Sequence, residues 1–133
     1  MIPETLVYAD GKLFVALLEN ERSDIWWNDE LTGAFAIIDA DTFSISAIHE
    51  IQTDPYDIAV TNDGLIYISS IDHNYSYLYI YRQDGSLLER RYYIYEGSKI
   101  AYNRIQNKIY SVSTYWSPRD MQAYLLSRRR YAV

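Results

Sequence analysis

All three tryptophans of this chain lie in polar stretches that also carry carboxylates. Trp26 and Trp27 belong to ENERSDIWWNDELTG (19–33), and Trp116 belongs to STYWSPRDM (113–121). Rings beside carboxylates can stack on a sugar ring or anchor a protein partner, because a ring gives a large contact area at a small cost in side-chain entropy. The predicted binding residues in these two stretches and in SIDHNYSY (70–77) are Trp26, Trp27, Asp29, Asp72, His73, Tyr75, Tyr115 and Trp116. The alternative is that the rings pack the loops onto the fold or fill seams between its units.

The residue types give little support for catalysis or metal binding. The chain has no cysteine, which excludes disulfides, thiolate chemistry and cysteine-based zinc sites. Its two histidines, His49 and His73, belong to different predicted units, and neither a D-x-D-x-D-G calcium loop nor a G-x-S-x-G motif occurs. We therefore expect no catalytic triad, no metal and no cofactor; calcium, if bound, would use Asp29 and Asp72.

The composition is typical of one soluble globular domain. Apolar residues make up 49% of the 133 positions, and the formal charge of −6 argues against nucleic acid as a partner, because phosphate binding needs a surplus of lysine and arginine. No run of about eighteen apolar residues occurs, and the N-terminus lacks the features of a secretion signal. We expect a soluble chain without a membrane span, whose cellular compartment the sequence does not specify. Fifteen tyrosines against three phenylalanines suit half-buried strands and binding faces alike.

The elements that must position these residues repeat along the chain. LVYADGKLFVAL (6–17), IAVTNDGLIYIS (58–69) and IAYNRIQNKIYSV (100–112) each predict a strand, a tight turn and a second strand. The turns contain Gly11, Gly64 and Asn107, which are residue types that tolerate positive φ.

The second half of the unit repeats as well. Segment 34–51 aligns with segment 76–94, so that Ile37 matches Ile80 and Asp41 matches Asp84. This shift of 43 residues is the same as the shift between Gly64 and Asn107. The first unit is longer by the insertion in residues 19–33, which we predict to be a loop.

Four short strands in each unit of about 43 residues, with no helical spacing of apolar residues, are typical of β-propeller blades. An up-and-down barrel or a sandwich could use similar hairpins, but neither requires the long-range register. We predict an all-β domain over 1–133, a partial propeller of about three antiparallel four-stranded blades at 4–54, 55–97 and 98–133, the last one shortened. The predicted strands lie near 6–9, 13–18, 35–39, 44–50, 57–61, 65–70, 77–82, 87–94, 100–103, 108–113 and 122–126.

Residues 35–70 resemble the YVTN (YncE-type) β-propeller repeat. The matching features are an aliphatic strand ending in Asp39, the D-x-T-like turn at Asp41-Thr42, the later Pro55, and the D-G turn at Asp63-Gly64. Residues 79–89 are closer to the related NHL form. The resemblance covers roughly 6–113 and implies the fold only, since such families include lactonase-like enzymes, surface proteins and scaffolds. Its propellers usually have about seven blades, whereas this chain has material for three.

The blade architecture separates two ends of the fold. Short turns such as Asp10-Gly11 lie at one end, and the stretches that carry the tryptophans join second to third strands at the other. We therefore predict a non-catalytic binding or structural module whose aromatic and acidic loop face meets a protein or carbohydrate partner. The alternative is a lactonase-like or glycan-cleaving enzyme that uses Asp29, Asp57 and Asp72 near a central channel.

Three blades leave two uncovered sheet faces. We expect other copies of the chain, or further blades of a larger protein, to cover them, and two copies would give six blades. The basic segments ERRYYI (89–94) and RRRYAV (128–133) are predicted to be outer strands whose charges protect exposed edges, rather than anion sites.

Overall fold

The chain forms an all-β fold. The computed structural model describes residues 1–19, 32–70, 76–93, 98–113, 121–127 and 130–132, and within these ranges twelve strands form three four-stranded antiparallel sheets. The first sheet contains β1 (Ile2–Ala9), β2 (Lys12–Leu18), β3 (Gly33–Asp39) and β4 (Ile45–Ile51). The second contains β5 (Pro55–Val60), β6 (Ile66–Ser70), β7 (Ser76–Tyr81) and β8 (Leu87–Tyr93), and the third contains β9 (Ser98–Asn103), β10 (Lys108–Ser113), β11 (Met121–Ser127) and β12 (Arg130–Ala132).

Each sheet is a meander in which strands adjacent in sequence pair with each other. The strands β1, β5 and β9 lie at one edge of their sheets, and β4, β8 and β12 lie at the opposite edge. The predicted all-β class and the four-stranded antiparallel sheets are thus confirmed. The described residues do not close into a ring, so the propeller assignment stays a prediction.

All eleven predicted strands are present, with boundaries that differ by a few residues. The outer strand predicted within residues 128–133 is β12, which pairs with β11 from the pair Leu125–Ala132 to the pair Ser127–Arg130. Both basic segments contribute outer strands, β8 and β12, as predicted. In β8 the Arg91 side chain donates to both carboxylate oxygens of Glu89 at 2.8 and 3.0 Å, and Arg90 lies 4.4 Å from the centre of the Tyr77 ring. These guanidinium groups therefore contact their own sheet at its edge.

Local backbone geometry explains where the hairpins turn. Gly11, Gly64 and Asn107 have φ values of 75°, 80° and 51°, in the left-handed region that their residue types tolerate. Phe43 also has a positive φ, 57°, in the turn between β3 and β4, a conformation that the sequence did not predict because a bulky side chain disfavours it.

Residues that the sequence alignment matches occupy matching positions in the strand pairing of the three sheets. By strand pairing and burial, the second sheet packs one face against the first sheet and the other face against the third. Ile58 and Ile100 face the preceding sheet, and Leu6 is the matching residue of the first sheet. Phe14 and Tyr67 face the following sheet, and Tyr110 is the matching residue of the third sheet. The second sheet therefore lies between the other two. Residues that align in the sequence occupy the same strand positions in each sheet.

Two apolar clusters hold the three sheets together. Between the first and second sheets, Phe14, Phe35 and Ile37 pack against Ile66 and Ile68. Between the second and third sheets the buried residues are Ala59, Tyr67, Leu78, Ile80, Ile100 and Ile109. Each sheet thus buries its apolar side chains against a neighbouring sheet, the arrangement on which repeat folds depend.

Part of the tyrosine excess serves this packing. Tyr77, Tyr79 and Tyr81 are every second residue of β7, so all three side chains lie on the face toward the first sheet. The rings of Tyr79 and Tyr81 stack with centroids 6.3 Å apart. Tyr81 also meets the Phe35 ring at 5.7 Å. Burial raises the pKa of the Tyr81 hydroxyl and also that of Tyr67. These tyrosines are packing residues of the sheet interfaces.

The backbone at Gly33 lies very close to the connection between the first two sheets. A Cβ atom added there would lie 2.5 Å from Pro55 Cδ and 2.7 Å from the Leu17 carbonyl oxygen. Only glycine fits this position without moving the backbone. Gly33 therefore fixes how closely β3 approaches the start of the second sheet.

No helix in the described part of the chain is long and apolar enough to cross a membrane.

Candidate functional site

The tryptophan-bearing face remains a prediction. Its residues Trp26, Trp27, Asp29, Asp72, His73, Tyr75, Tyr115 and Trp116 all lie outside the described residues. The segments that contain them join the second strand to the third strand in each of the three sheets: 20–31 joins β2 to β3, 71–75 joins β6 to β7, and 114–120 joins β10 to β11. All three segments thus begin and end at the same end of the sheets.

The described residues form a groove where the edge strands β1, β5 and β9 converge. β5 lies between β1 and β9 and packs against both. The groove has a volume of about 970 Å³ and extends to the end of the sheets that carries the short turns. Exposed polar groups at that end belong to Asp10, Asn62, Asp63 and Arg104. They offer hydrogen-bond donors and acceptors at its mouth.

Asp57 is the buried charged residue at this convergence. Its carboxylate accepts hydrogen bonds from the backbone N–H of Ile100 at 2.8 Å, from the N–H of Ile58 at 2.9 Å and from the Thr5 hydroxyl at 3.3 Å. Thr5 belongs to β1 and Ile100 to β9, so one side chain on β5 connects all three sheets. We call this set of contacts the Asp57 bridge.

The Asp57 bridge solves a problem of edge strands. β9 is the edge of its sheet, and an N–H at a buried edge is costly unless it finds an acceptor. A carboxylate is a strong acceptor for such an N–H. By strand pairing, the positions of the first and third sheets that match Asp57 are Thr5 and Lys99, so the bridge occurs once in the described part of the chain.

Hydrogen bonds between the short turns reinforce the same packing. Lys12 Nζ donates to Gln83 Oε1 at 3.1 Å, which joins the first sheet to the second. Arg104 Nε donates to Asn62 Oδ1 at 3.3 Å, which joins the third sheet to the second. The short-turn end is therefore a connected polar surface. The sequence analysis assigned no role to these turns, and it missed the hydrogen bonds because the partners lie 42 to 71 residues apart.

The carboxylates of two exposed turns also accept backbone hydrogen bonds. Hydrogen bonds from the backbone N–H groups of Thr42 and Asp41 lower the pKa of Asp39, and hydrogen bonds from the Ser86 hydroxyl and N–H lower the pKa of Asp84. Because these pKa values are lowered on folding, the associated stabilisation is present at neutral pH and is lost as the pH falls through the folded pKa values. Both groups help to form their turns, as Asp commonly does.

His49 contacts residues that pack the first sheet against the second. Its Nε2 lies 3.0 Å from the Gln83 carbonyl oxygen, and its ring centroid is 5.1 Å from that of Phe35. The ring also lies against Gly85, where an added Cβ would be 2.5 Å from Nδ1. His49 thus joins β4 to the turn between β7 and β8. Among the described residues, no three His, Asp or Glu side chains are grouped so that they could hold a metal ion.

Comparisons with known proteins supply no family. No protein-family model matches the sequence, and a search of curated proteins finds no significant match.

Proposed function

We propose that this chain is a non-catalytic binding module made of three propeller-like blades, and that its ligand contacts the end of the sheets from which the tryptophan-bearing segments extend. Segments 20–31, 71–75 and 114–120 start from equivalent strand ends in three sheets that face the same way. Such a repeat brings equivalent connections side by side, and binding residues are commonly carried by loops on a rigid scaffold.

The hydrogen bonding of Asp57 is the observation that carries the non-catalytic part of this proposal. An enzyme with a central site would need this carboxylate as an acid, base or nucleophile with access to substrate. Asp57 instead accepts hydrogen bonds from two backbone N–H groups and one hydroxyl, and its side chain is buried. Of the carboxylates that the enzyme alternative would use, Asp57 is therefore used to hold the sheets together, which favours a scaffold over the lactonase-like alternative.

The chemistry of the predicted face favours a carbohydrate or a protein surface as the ligand. Indole rings stack on the apolar faces of sugars and also act as anchors in protein interfaces, while neighbouring carboxylates accept hydrogen bonds from hydroxyl or amide groups. The negative charge of the chain disfavours polyanions.

Substitution of Trp26, Trp27 and Trp116 by alanine tests the proposal. The three residues are the only tryptophans, so the indole fluorescence of the wild-type protein reports on this face alone. We expect a saturable change in emission with at least one member of a panel of neutral oligosaccharides or with a purified protein partner. We also expect the alanine variants to weaken that binding by about tenfold or more while stability changes little.

Phe43→Ala is the matched control, because Phe43 is an exposed aromatic residue in a turn outside the predicted face. It should leave binding unchanged. Alanine variants that unfold while their residual folded fraction still binds would show that the tryptophans are packing residues and that the site lies elsewhere. Turnover of a lactone or glycan by the wild-type protein, abolished by Asp29→Asn or Asp72→Asn, would favour the enzyme instead.

A further inference from the structure

The outer faces of the first and third sheets carry apolar side chains at positions that are buried elsewhere in the repeat. Leu6 and Tyr8 are 61% and 64% exposed, whereas their equivalents in the second sheet, Ile58 and Val60, are 4% and 7% exposed. Ile58 and Val60 are covered by the first sheet. Leu6 and Tyr8 have the same position in the strand pairing of their sheet, but none of the described sheets covers them.

Strand pairing places further apolar side chains on the same face of the first sheet. Because residues paired across antiparallel strands share a face, two rows of side chains run from β1 to β4. We call this surface the first flank, and its rows are Tyr8, Leu13, Ile38 and Ile45, and Leu6, Val15, Ala36 and Ile48. Ile45 and Ile48 at the β4 end are also exposed. Val15 and Ala36, in the middle of this face, are buried, so its exposed apolar side chains lie on β1 and β4. Exposed apolar side chains grouped on one face are typical of an interaction site.

The outer face of the third sheet forms the complementary surface. We call it the last flank, formed by Ala101, Tyr110 and Val112, all of which are exposed. The equivalents of Tyr110 are Phe14 and Tyr67, and both are buried against a following sheet. The last flank therefore has the form of a face that normally meets a following sheet.

We propose that the first flank of one copy of this chain packs against the last flank of a second copy, and that two copies close a ring of six sheets. The proposal rests on the blade arrangement of the proposed function but not on its ligand. The same type of contact already occurs twice inside the chain, where a face like the last flank meets a face like the first flank. The new junction would repeat this interface. Inside the chain, Val7 lies on the face opposite Ile58, and Ala59 lies on the face opposite Ile100. At the junction, Ala101 would take the first position and Leu6 of the partner the second.

Closure follows from the geometry of head-to-tail contacts. When copies join head to tail through two different surfaces, an open row of copies leaves one surface of each kind uncovered at its two ends. A closed ring of copies leaves neither surface uncovered. Two copies related by a twofold axis would cover both flanks of each, and six sheets lie within the range of known propellers. A two-copy ring thus satisfies every apolar face with a single kind of contact.

The junction differs from the internal contacts in one respect. Asp57 bridges the second and third sheets, but the equivalent position in the third sheet is Lys99, which cannot accept an N–H from the next sheet. Lys99 instead lies 4.5 Å from the centre of the Tyr56 ring. The junction between copies would therefore lack the Asp57 bridge, and we expect its association to depend on protein concentration.

Cysteine cross-linking tests the geometry directly, because the chain has no cysteine of its own. Leu6→Cys and Ala101→Cys are prepared as separate variants, mixed in equal amounts and oxidised. The proposal predicts that the mixed disulfide between the two variants forms in preference to either disulfide between identical variants. Preferential formation of Leu6→Cys homodimers would overturn the head-to-tail arrangement.

Light scattering across a concentration series measures the assembly itself. We expect a mass of twice 15.6 kDa at high concentration, and Leu6→Asp or Val112→Asp should each raise the dissociation constant by at least about tenfold. Ile105→Asp is the matched control, because Ile105 is 97% exposed, the highest value among the large apolar residues that the structure describes, and lies outside both flanks. It should change the dissociation constant by less than about twofold.

Two other masses would contradict the proposal. A folded monomer of 15.6 kDa at every concentration would show that a second copy does not cover the flanks, which would leave them for further sheets of a longer polypeptide. A trimer or larger ring would overturn the two-copy closure. Failure of the oligosaccharide and partner-binding experiments would leave these measurements unaffected, since the substituted flank residues lie outside the tryptophan-bearing segments.

Discussion

Replacing Asp57 with asparagine lowers the free energy of unfolding by about 2–4 kcal/mol. The substitution keeps the shape of the side chain but removes the charge and replaces one acceptor oxygen with an NH₂ group. That NH₂ group would face either the Ile100 N–H, now bonded at 2.8 Å, or the Ile58 N–H, now bonded at 2.9 Å. A buried donor is then left without an acceptor, and a charge-assisted hydrogen bond between sheets is lost. Urea denaturation monitored by circular dichroism measures the change.

Asp10→Asn is the matched control for this prediction. It makes the same chemical change at an exposed turn residue with a φ of 50°, a conformation that asparagine tolerates well. The expected change in the free energy of unfolding is within about 0.5 kcal/mol. Equal effects of the two substitutions would show that the Asp57 bridge does not stabilise the fold.

Phe35→Ala is expected to lower the free energy of unfolding by about 3–5 kcal/mol. Phe35 has no exposed surface, and its ring lies between His49, with a centroid 5.1 Å away, and Tyr81, at 5.7 Å. Truncation removes the ring from the cluster between the first and second sheets and leaves a cavity that the sheets cannot fill without moving. Thermal and urea denaturation both measure the loss.

Phe43→Ala makes the same substitution at a residue that is 73% exposed. Both residues carry a Cβ, so the positive φ at this position is equally strained before and after the change. We expect a loss below about 1 kcal/mol. A loss as large as that for Phe35→Ala would mean that the first two sheets do not pack through Phe35.

The features that the sequence predicts well are those with local causes. The turns at Gly11, Gly64 and Asn107 could be found because positive φ restricts the residue type. The common orientation of Ile37 and Ile80 could be found because strand periodicity and a constant shift preserve which face a residue occupies. Strand positions and the antiparallel pairing of neighbours follow from the same two constraints.

The features that the sequence does not predict depend on distant partners. Asp57 accepts from Ile100, 43 residues away, and in the sequence it resembles any other aspartate near an inner strand. The one available clue was that aspartate is disfavoured inside a strand, so an aspartate beside the apolar run at Ile58 requires a specific partner. Phe43 was not predicted for a different reason: its turn requires a positive φ, which a phenylalanine side chain disfavours.

Amide hydrogen exchange at Ile100, measured by NMR on the wild-type protein, tests most directly the convergence of the three sheets on which both proposals depend. β9 is an edge strand, and the Ile100 N–H reaches an acceptor on β5 only if the second and third sheets pack as described. We predict that this amide exchanges at least about a hundredfold more slowly than in an unstructured peptide. Exchange at the rate of an unstructured peptide, in a protein whose β6 amides remain protected, would contradict the arrangement.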